Sequence, residues 1–319
     1  MIRWGIIGTG FIAKQFASDL KLLPNAELYA VSSRSTENAE KFASELGVKK
    51  HYASRYKMLA DEAIDIIYVA TPNHCHAPDS IAALNAGKAV LCEKPFALNS
   101  AELESIIEVA KSKNLFLMEA LWTAFLPSFK KFIELASDGS IGEAKLLNAD
   151  FGFNSPFNPA SRLYDPKQGG GSIYDIGIYP LFAAYSLFGE PQVLQAIKIP
   201  SPTGTDATAL IQTLHKNDKA AMLASSFAVE LNTEANLYGT RGKLKLHKCF
   251  HIPTRLTLQN EKGIFDFDFP SSGNGYQYEA AAAMDAMERG LKECPEWNLE
   301  QSRALMRMVD ASLLACSHN

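Results

Sequence analysis

The sequence predicts an α/β fold in two parts: a doubly wound parallel sheet over residues 1–120, then an α/β domain over 121–319 with an open, mostly antiparallel sheet. Three observations predict it. The first part alternates short apolar runs with amphipathic stretches of helical period. Beyond it the pattern changes to longer runs of alternating character separated by turn residues. The chain of 319 residues is also longer than one hydrophobic core usually serves, so two domains are expected.

Ile2 to Ile7 reads as a strand and Phe11 to Leu23 as a helix, with Phe11, Ile12, Phe16, Leu20 and Leu23 on one side. Leu28 to Ser33 is the second strand, and Thr36 to Leu46 a helix stopped by Gly47. Strands at Ile64 to Ala70, Ala89 to Cys92 and Leu115 to Met118 then alternate with helices at Pro78 to Ala86 and Ala101 to Lys111. Such an order predicts a parallel sheet covered by helices on both faces. After a helix at Leu126 to Ala136, strands are expected at Ala144 to Phe153, Val193 to Ile199, Ala207 to His215 and Ala220 to Val229. Further strands read at Glu234 to Tyr238, Leu244 to His247, Leu256 to Gln259 and Ile264 to Phe269. The turns Lys216-Asn217-Asp218 and Thr240-Arg241-Gly242 join neighbours as hairpins. Helices at Tyr278 to Leu291 and Leu299 to Cys316 close the chain, the second capped by Asn298.

Composition excludes several classes of function. A net charge of −4 gives no general attraction to nucleic acid or to an acidic membrane, so any anion site has to be built locally. With 47% hydrophobic and 21% charged residues, the chain reads as a globular protein with sizeable cores. Five scattered cysteines without C-x-x-C spacing read as thiols in a reducing compartment. No apolar run approaches the ~20 residues of a membrane helix and no basic leader opens the chain, so a cytoplasmic protein is expected.

Gly8-Thr9-Gly10-Phe11-Ile12-Ala13 joins the first strand to the first helix. There, Gly8 permits the tight turn, Gly10 admits a phosphate close to the backbone, and Ala13 lets helix and strand pack closely. The helix N-terminus adds unpaired N–H donors, so this is the Rossmann arrangement for a dinucleotide pyrophosphate. At the end of the second strand, where an NAD enzyme usually carries a carboxylate for the ribose hydroxyls, stands Ser32-Ser33-Arg34-Ser35. A guanidinium and hydroxyls suit a 2′-phosphate, which favours NADP(H) over NAD. Ser35 also suits a helix N-cap, with Arg34 merely solvated.

Two further motifs end strands on the same crevice. Thr71-Pro72-Asn73-His74-Cys75-His76 follows the buried strand, and Glu93-Lys94-Pro95 follows the next. One H-x-H and one cysteine supply no satisfactory tetrahedral metal set, so no metal is expected. Thr71, Pro72, Asn73, His76, Glu93 and Lys94 are instead candidates for the wall around the cofactor, with Gly8, Thr9, Gly10, Phe11, Ile12, Ser33, Arg34 and Trp122.

These motifs, with Gly169-Gly170-Gly171-Ser172 and Asp175-Ile176-Gly177-Ile178-Tyr179, give a resemblance to the Gfo/Idh/MocA oxidoreductases that covers nearly the whole chain. Within that family, Met118-Glu119-Ala120-Leu121-Trp122-Thr123 and Gly275-Tyr276-Gln277-Tyr278-Glu279 are similar to the dihydrodiol dehydrogenase and glucose-fructose oxidoreductase branch. The resemblance implies NADP, a frequently cis peptide before Pro95, and association as a homodimer through the C-terminal sheet. Relatives often carry arginine after the Trp-Thr pair where this chain has Ala124, so contacts carried over at that position are in doubt.

Hydride transfer to or from an alcohol carbon needs a group that moves the hydroxyl proton. Tyr179 is the first candidate, where many relatives have histidine; a phenol titrates near ~10, and a nearby ammonium such as that of Lys94 favours its phenolate. Lys94 itself is an alternative donor. Asp175 stands four residues before Tyr179, which places both on one helix face if the segment is regular; Pro180 complicates that. By spacing alone, Asp175 equally suits a cap and Tyr179 a core position. Trp122, Phe151, Phe153, Tyr164, Tyr276 and Tyr278 are candidate pocket aromatics, and Arg162 a candidate contact to substrate. The expected substrate is a sugar or cyclic vicinal diol, or the carbonyl form of either. A dinucleotide-binding regulator and an NAD(P)-dependent glycosidase of the same fold remain as alternatives.

Overall fold

Six parallel strands form the first sheet: β1 (Ile2–Ile7), β2 (Ala26–Ser32), β3 (Lys50–Tyr52), β4 (Ile66–Val69), β5 (Ala89–Glu93) and β6 (Leu117–Ala120). Their order is β3-β2-β1-β4-β5-β6, so the winding reverses between β1 and β4. That switch opens a crevice at the strands' C-terminal ends, which is where ligands of such sheets bind. The continuous apolar runs of β4 and β5 are explained by burial at every position, as expected of central parallel strands. The helices of this layer are α1 (Phe11–Leu20), α2 (Thr36–Leu46), α3 (Arg55–Leu59), α4 (His76–Asn85) and α5 (Ser100–Lys113). Side-chain caps fix two of their starts: Ser35 accepts from the Asn38 N–H at 3.2 Å and Asn99 from the Glu102 N–H at 2.9 Å. Gly47 and Asn114 end α2 and α5 in the left-handed region. β3 and α3, of three and five residues, were not read from the sequence because neither is long enough to show a period.

The computed structural model describes residues 1–316 and divides into two units. One is Met1–Phe125 with Ser272–Arg303; the other is Leu126–Ser271 with the chain from Ala304 onward. Residues 272–303 thus group with the first unit although they follow most of the second in sequence. The physical reason is Asp19, 1% exposed at the end of α1. Its carboxylate accepts from the backbone N–H groups of Asn274, Gly275 and Tyr276, each at 2.9 Å, and from the Asn274 side chain at 2.8 Å. It thereby serves as the N-terminal anion of α8 (Tyr276–Glu288) from a distant part of the sequence. Trp297 Nε1 donates to Glu119 at 3.0 Å, Leu117 N–H to Lys292 O at 3.0 Å, and Arg303 grips Glu104 with bonds of 2.7 and 2.8 Å.

The second unit holds β7 (Ala144–Gly152), β8 (Val193–Pro200), β9 (Asp206–His215), β10 (Lys219–Ser226), β11 (Ala235–Gly239), β12 (Gly242–Leu246), β13 (Leu256–Asn260) and β14 (Gly263–Phe267). They lie in the order β14-β13-β12-β11-β7-β10-β9-β8. Only β7 and β10 run parallel; the other neighbours are antiparallel. Asn217 and Asp218, both at positive φ, make the β9–β10 hairpin turn that their residue types predicted. Helices α6 (Pro127–Ser137) and α7 (Ile178–Phe188) cover one face. Along β9 this shows as alternation: Ala209, Ile211, Thr213 and His215 are buried, while Leu210, Gln212 and Leu214 are exposed. The last helix, α9 (Leu299–Ala315), passes from one unit's residues into the other's. Among the described residues no helix is long and apolar enough to cross a membrane, and no disulfide forms.

Candidate functional site

In the first unit, the turn after β1 tolerates nothing but glycine at its first position. A Cβ on Gly8, at φ +115°, would lie 2.4 Å from Ala70 O. Gly10, by contrast, has nothing within 4 Å of the place its Cβ would take. It is the N-cap of α1 and offers no side-chain cap, so the first N–H groups of the helix face that open space. Ala13 is fully buried where helix meets strand, while Phe11 is 74% exposed beside the turn and Ile12 half-buried. These residues fit a dinucleotide, the pyrophosphate lying on the helix N-terminus.

At the end of β2, Thr9 donates its hydroxyl to Ser33 at 3.4 Å, and Ser33 Oγ accepts from the Ser35 N–H at 3.3 Å. Ser35 caps α2, and Arg34 is exposed beside it. The cap and the cation thus coexist. After β4, Thr71 donates to Asp79 at 2.8 Å, and Asp79 in turn pairs with Arg55, neither of which the sequence reading singled out. Pro72 opens a 3-10 turn, Asn73–Cys75, with Asn73 buried and His74 exposed. His76 is fully enclosed: Nδ1 lies 2.7 Å from Pro95 O and Nε2 2.8 Å from Thr71 O. Burial pushes its imidazole down to about 4, and in the uncharged ring a single N–H can donate to only one of these two carbonyls.

Lys94, half-buried, precedes Pro95 through a cis peptide, the isomer that the resemblance implied. Beneath it lies a group of buried acids. Glu93 accepts from the Tyr68 hydroxyl, and burial raises its carboxyl to about 7. Glu279 on α8 is wholly buried and held protonated well above the ordinary range by burial, with Glu93, Asp19 and Glu119 adding to the effect. Glu119 accepts from the Phe96 N–H at 3.2 Å and from Trp297. Trp122, in the 3-10 turn Trp122–Phe125, stacks on Tyr276 with centroids 4.2 Å apart and rings within 15°. This pair is internal to the first unit, since Tyr276 belongs to the returning segment.

In the second unit the glycine motif organises the start of α7. Asp206 on β9 accepts from the Ile173 N–H at 2.7 Å and from the Ser172 hydroxyl at 2.9 Å, and Ser172 also bonds Ser225 on β10 at 2.8 Å. Gly171, at φ +125°, leaves room for Asp206, whose Oδ1 would lie 2.2 Å from an added Cβ; Gly177 does the same for Ser225 at 2.9 Å. Asp175 lies in a π-turn, Ile173–Gly177, and not in the regular helix that its spacing from Tyr179 assumed. Pro180 is the third residue of α7, which continues directly from that π-turn, and contributes no N–H to the helical run. Asp175 pairs with the exposed Arg162 at 2.8 Å. Tyr179 is 5% exposed, its ring 5.7 Å from that of Phe151. Phe153 packs against Phe227 at 5.3 Å. Tyr164 is core: it is buried with Ile176 and Phe227, and its hydroxyl donates to Ser155 O at 2.7 Å.

The first unit carries a glycine turn and an open helix N-terminus that fit a dinucleotide, and the second a buried tyrosine near the start of α7. Residues 2–121 match the oxidoreductase family with an NAD-binding Rossmann fold, and residues 129–245 match the GFO/IDH/MocA C-terminal domain. The chain belongs to the GFO/IDH/MocA family and is an enzyme of that oxidoreductase class. It is 32% identical over 320 residues to the trans-1,2-dihydrobenzene-1,2-diol dehydrogenase of Mus musculus, covering 97% of this chain and 95% of the relative; the Homo sapiens protein of that name matches to the same extent. Among solved structures, an aldose-aldose oxidoreductase from Caulobacter crescentus superposes with a TM-score of 0.91 at 24% identity, over 99% of this chain and 98% of the other. A 3-ketoreductase from Actinomadura kijaniata, solved with NADP and TDP-benzene, gives 0.88 at 25% identity, over 98% and 97%.

Proposed function

We propose that the enzyme moves hydride between NADP and a secondary alcohol carbon of a sugar or cyclic vicinal diol, or works on the corresponding carbonyl in reverse. The observation that carries this reading is the near-complete burial of the Tyr179 hydroxyl-bearing ring at the anchored start of α7. When bound, the nicotinamide supplies the hydride acceptor or donor. Tyr179 takes or returns the hydroxyl proton, and the Lys94 ammonium favours its phenolate. Asp175, held by Arg162, orients a neighbouring substrate hydroxyl. Phe153 and the stacked Trp122–Tyr276 pair offer ring faces to the carbon skeleton. NADP is favoured over NAD because Ser33 and Arg34 stand where a ribose-binding carboxylate would be. The names of the mammalian relatives support a vicinal diol.

We also propose a homodimer through the uncovered face of the second sheet. Val193, Ile197, Ile199, Leu210, Leu214 and Met222 are exposed there on three adjoining strands. The test of the activity is steady-state oxidation of aldoses, inositols and trans-dihydrodiols with NADP by wild type and Tyr179→Phe. The phenylalanine variant is expected to lose about 100-fold or more in kcat, the range of general acid–base catalysis. Full turnover by that variant on a good substrate refutes the assignment.

A further inference from the structure

Arg55 opens α3, and no motif of the sequence pointed to it. The strand before it sets its place. β3 lies beside β2 in parallel, with Tyr52 opposite Ser32 and the Ser33 N–H donating to Tyr52 O at 3.1 Å. Arg34 and Arg55 therefore follow neighbouring strand ends on one edge of the sheet, the C-terminal edge on which the crevice opens. Arg34 is exposed on its loop. The Arg55 side chain keeps 33% of its surface and is held on two sides, paired with the buried Asp79 and lying over the Tyr56 ring at 5.0 Å. It also donates to the Tyr56 hydroxyl at 3.1 Å. Asp79 is in turn fixed by the Thr71 hydroxyl at 2.8 Å, which fastens Arg55 to the crevice wall. Both cations act on one point there: burial and Asp79 raise the pKa of the Cys75 thiol, while Arg55 and Arg34 each pull it down.

A phosphate monoester carries roughly two negative charges near neutrality and several acceptor oxygens, so a lone exposed guanidinium neither balances its charge nor fills its acceptors. An exposed arginine also gives up side-chain freedom when it grips an anion. One already oriented by a buried carboxylate and an aromatic face gives up less, so its bonds to the anion contribute more to affinity. A guanidinium has more N–H donors than the contacts to Asp79 and Tyr56 use. Asp79 needs a counterion because it is buried, and that need alone would account for Arg55 without any ligand. The two roles differ in one respect: a counterion acts on the fold whichever cofactor is bound, whereas a phosphate ligand acts only on the cofactor that carries the 2′-phosphate.

We infer that Arg55 is a specificity-determining residue that holds the adenosine 2′-phosphate together with Arg34. The inference rests on the reading that the cofactor is NADP. Its test is isothermal titration calorimetry of NADP and of NAD with wild type, Arg34→Ala, Arg55→Ala and the double variant Arg55→Met with Asp79→Asn. Arg55→Ala is expected to raise Kd for NADP about tenfold or more, the scale of a charge-assisted bond, and Kd for NAD by no more than about threefold. Because Arg55→Ala leaves Asp79 buried without its counterion, the double variant removes both charges together. It is expected to show the same loss for NADP alone, a result that a counterion role would not give. Equal changes for the two cofactors in the Arg55 variants overturn the inference, as does a double variant that binds NADP like wild type. If Arg34→Ala loses NADP selectively and the Arg55 variants do not, only the role of Arg55 fails; if wild type binds NAD as tightly as NADP, the underlying reading fails and this inference with it.

Discussion

Replacing Asp19 by alanine removes one carboxylate from under four hydrogen bonds, three of them from the backbone N–H groups that open α8. Gln277 Oε1 also accepts from the Gly275 N–H at 2.9 Å, so that donor keeps one partner, while the Asn274 and Tyr276 N–H groups lose theirs. Loss of an ordinary N-cap costs about 0.5–2 kcal/mol, and each buried donor left unmet about 1–3 kcal/mol before water relaxes into the site. A loss of roughly 3–5 kcal/mol follows for Asp19→Ala, and about half of that for Asp19→Asn, which keeps one acceptor oxygen. Domains of this size lose about 2–4 °C in melting midpoint per kcal/mol, so the alanine variant is expected to melt roughly 10 °C lower. Far-UV circular dichroism on heating gives the midpoint, and Trp122 fluorescence follows the Tyr276 stack that α8 carries. A midpoint within about 2 °C of wild type, well outside that range, would refute the argument that Asp19 fastens the returning segment.

Three other outcomes are expected. Arg34→Ala is expected to raise KM for NADP about tenfold or more, through loss of charge-assisted bonds to the 2′-phosphate, while KM for NAD stays within twofold; a parallel change for both cofactors in steady-state assays counts against the phosphate assignment. Glu93, at about 7 in the fold and near ~4.3 unfolded, binds more protons folded than unfolded between those values. Its contribution to stability is therefore complete below about 4.3 and lost as pH rises through about 7, so Glu93→Gln should raise the midpoint more at pH ~8 than at pH ~5; an equal shift at both, measured by differential scanning calorimetry, contradicts that sign. Leu210→Lys places a charge on β9 directly opposite Ile197 and Ala224 of the adjoining strands. Light scattering on a sizing column is expected to find a dimer for wild type and a monomer for the variant, and a monomeric wild type ends the dimer proposal.

Much of the first unit was legible because each part of its site is local in sequence. Gly8, Gly10 and Ala13 are spaced by one turn and one helical start, and the Ser35 cap and Gly47 stop lie within the helix they bound. The same holds for the β9–β10 turn. What a sequence cannot display is a contact whose partners lie far apart along it: Asp19 under α8, Trp297 on Glu119, Asp206 on the glycine loop, and His251 over Tyr179. Aromatic residues were the least readable, because burial alone separates Tyr164, which became core, from Phe151, which reaches the phenol.

By itself, then, the sequence determined the winding of the first sheet and the glycine turn that fits a dinucleotide, since periodicity and φ preference act over a few neighbouring residues. The tertiary structure alone decided which unit holds residues 272–303, the π-turn before Tyr179, and the protonation of the acids around Glu93. Those depend on burial and on partners brought from elsewhere in the chain, and the free energy of removing a carboxyl or a backbone N–H from water is set only once the surrounding chain has closed over it.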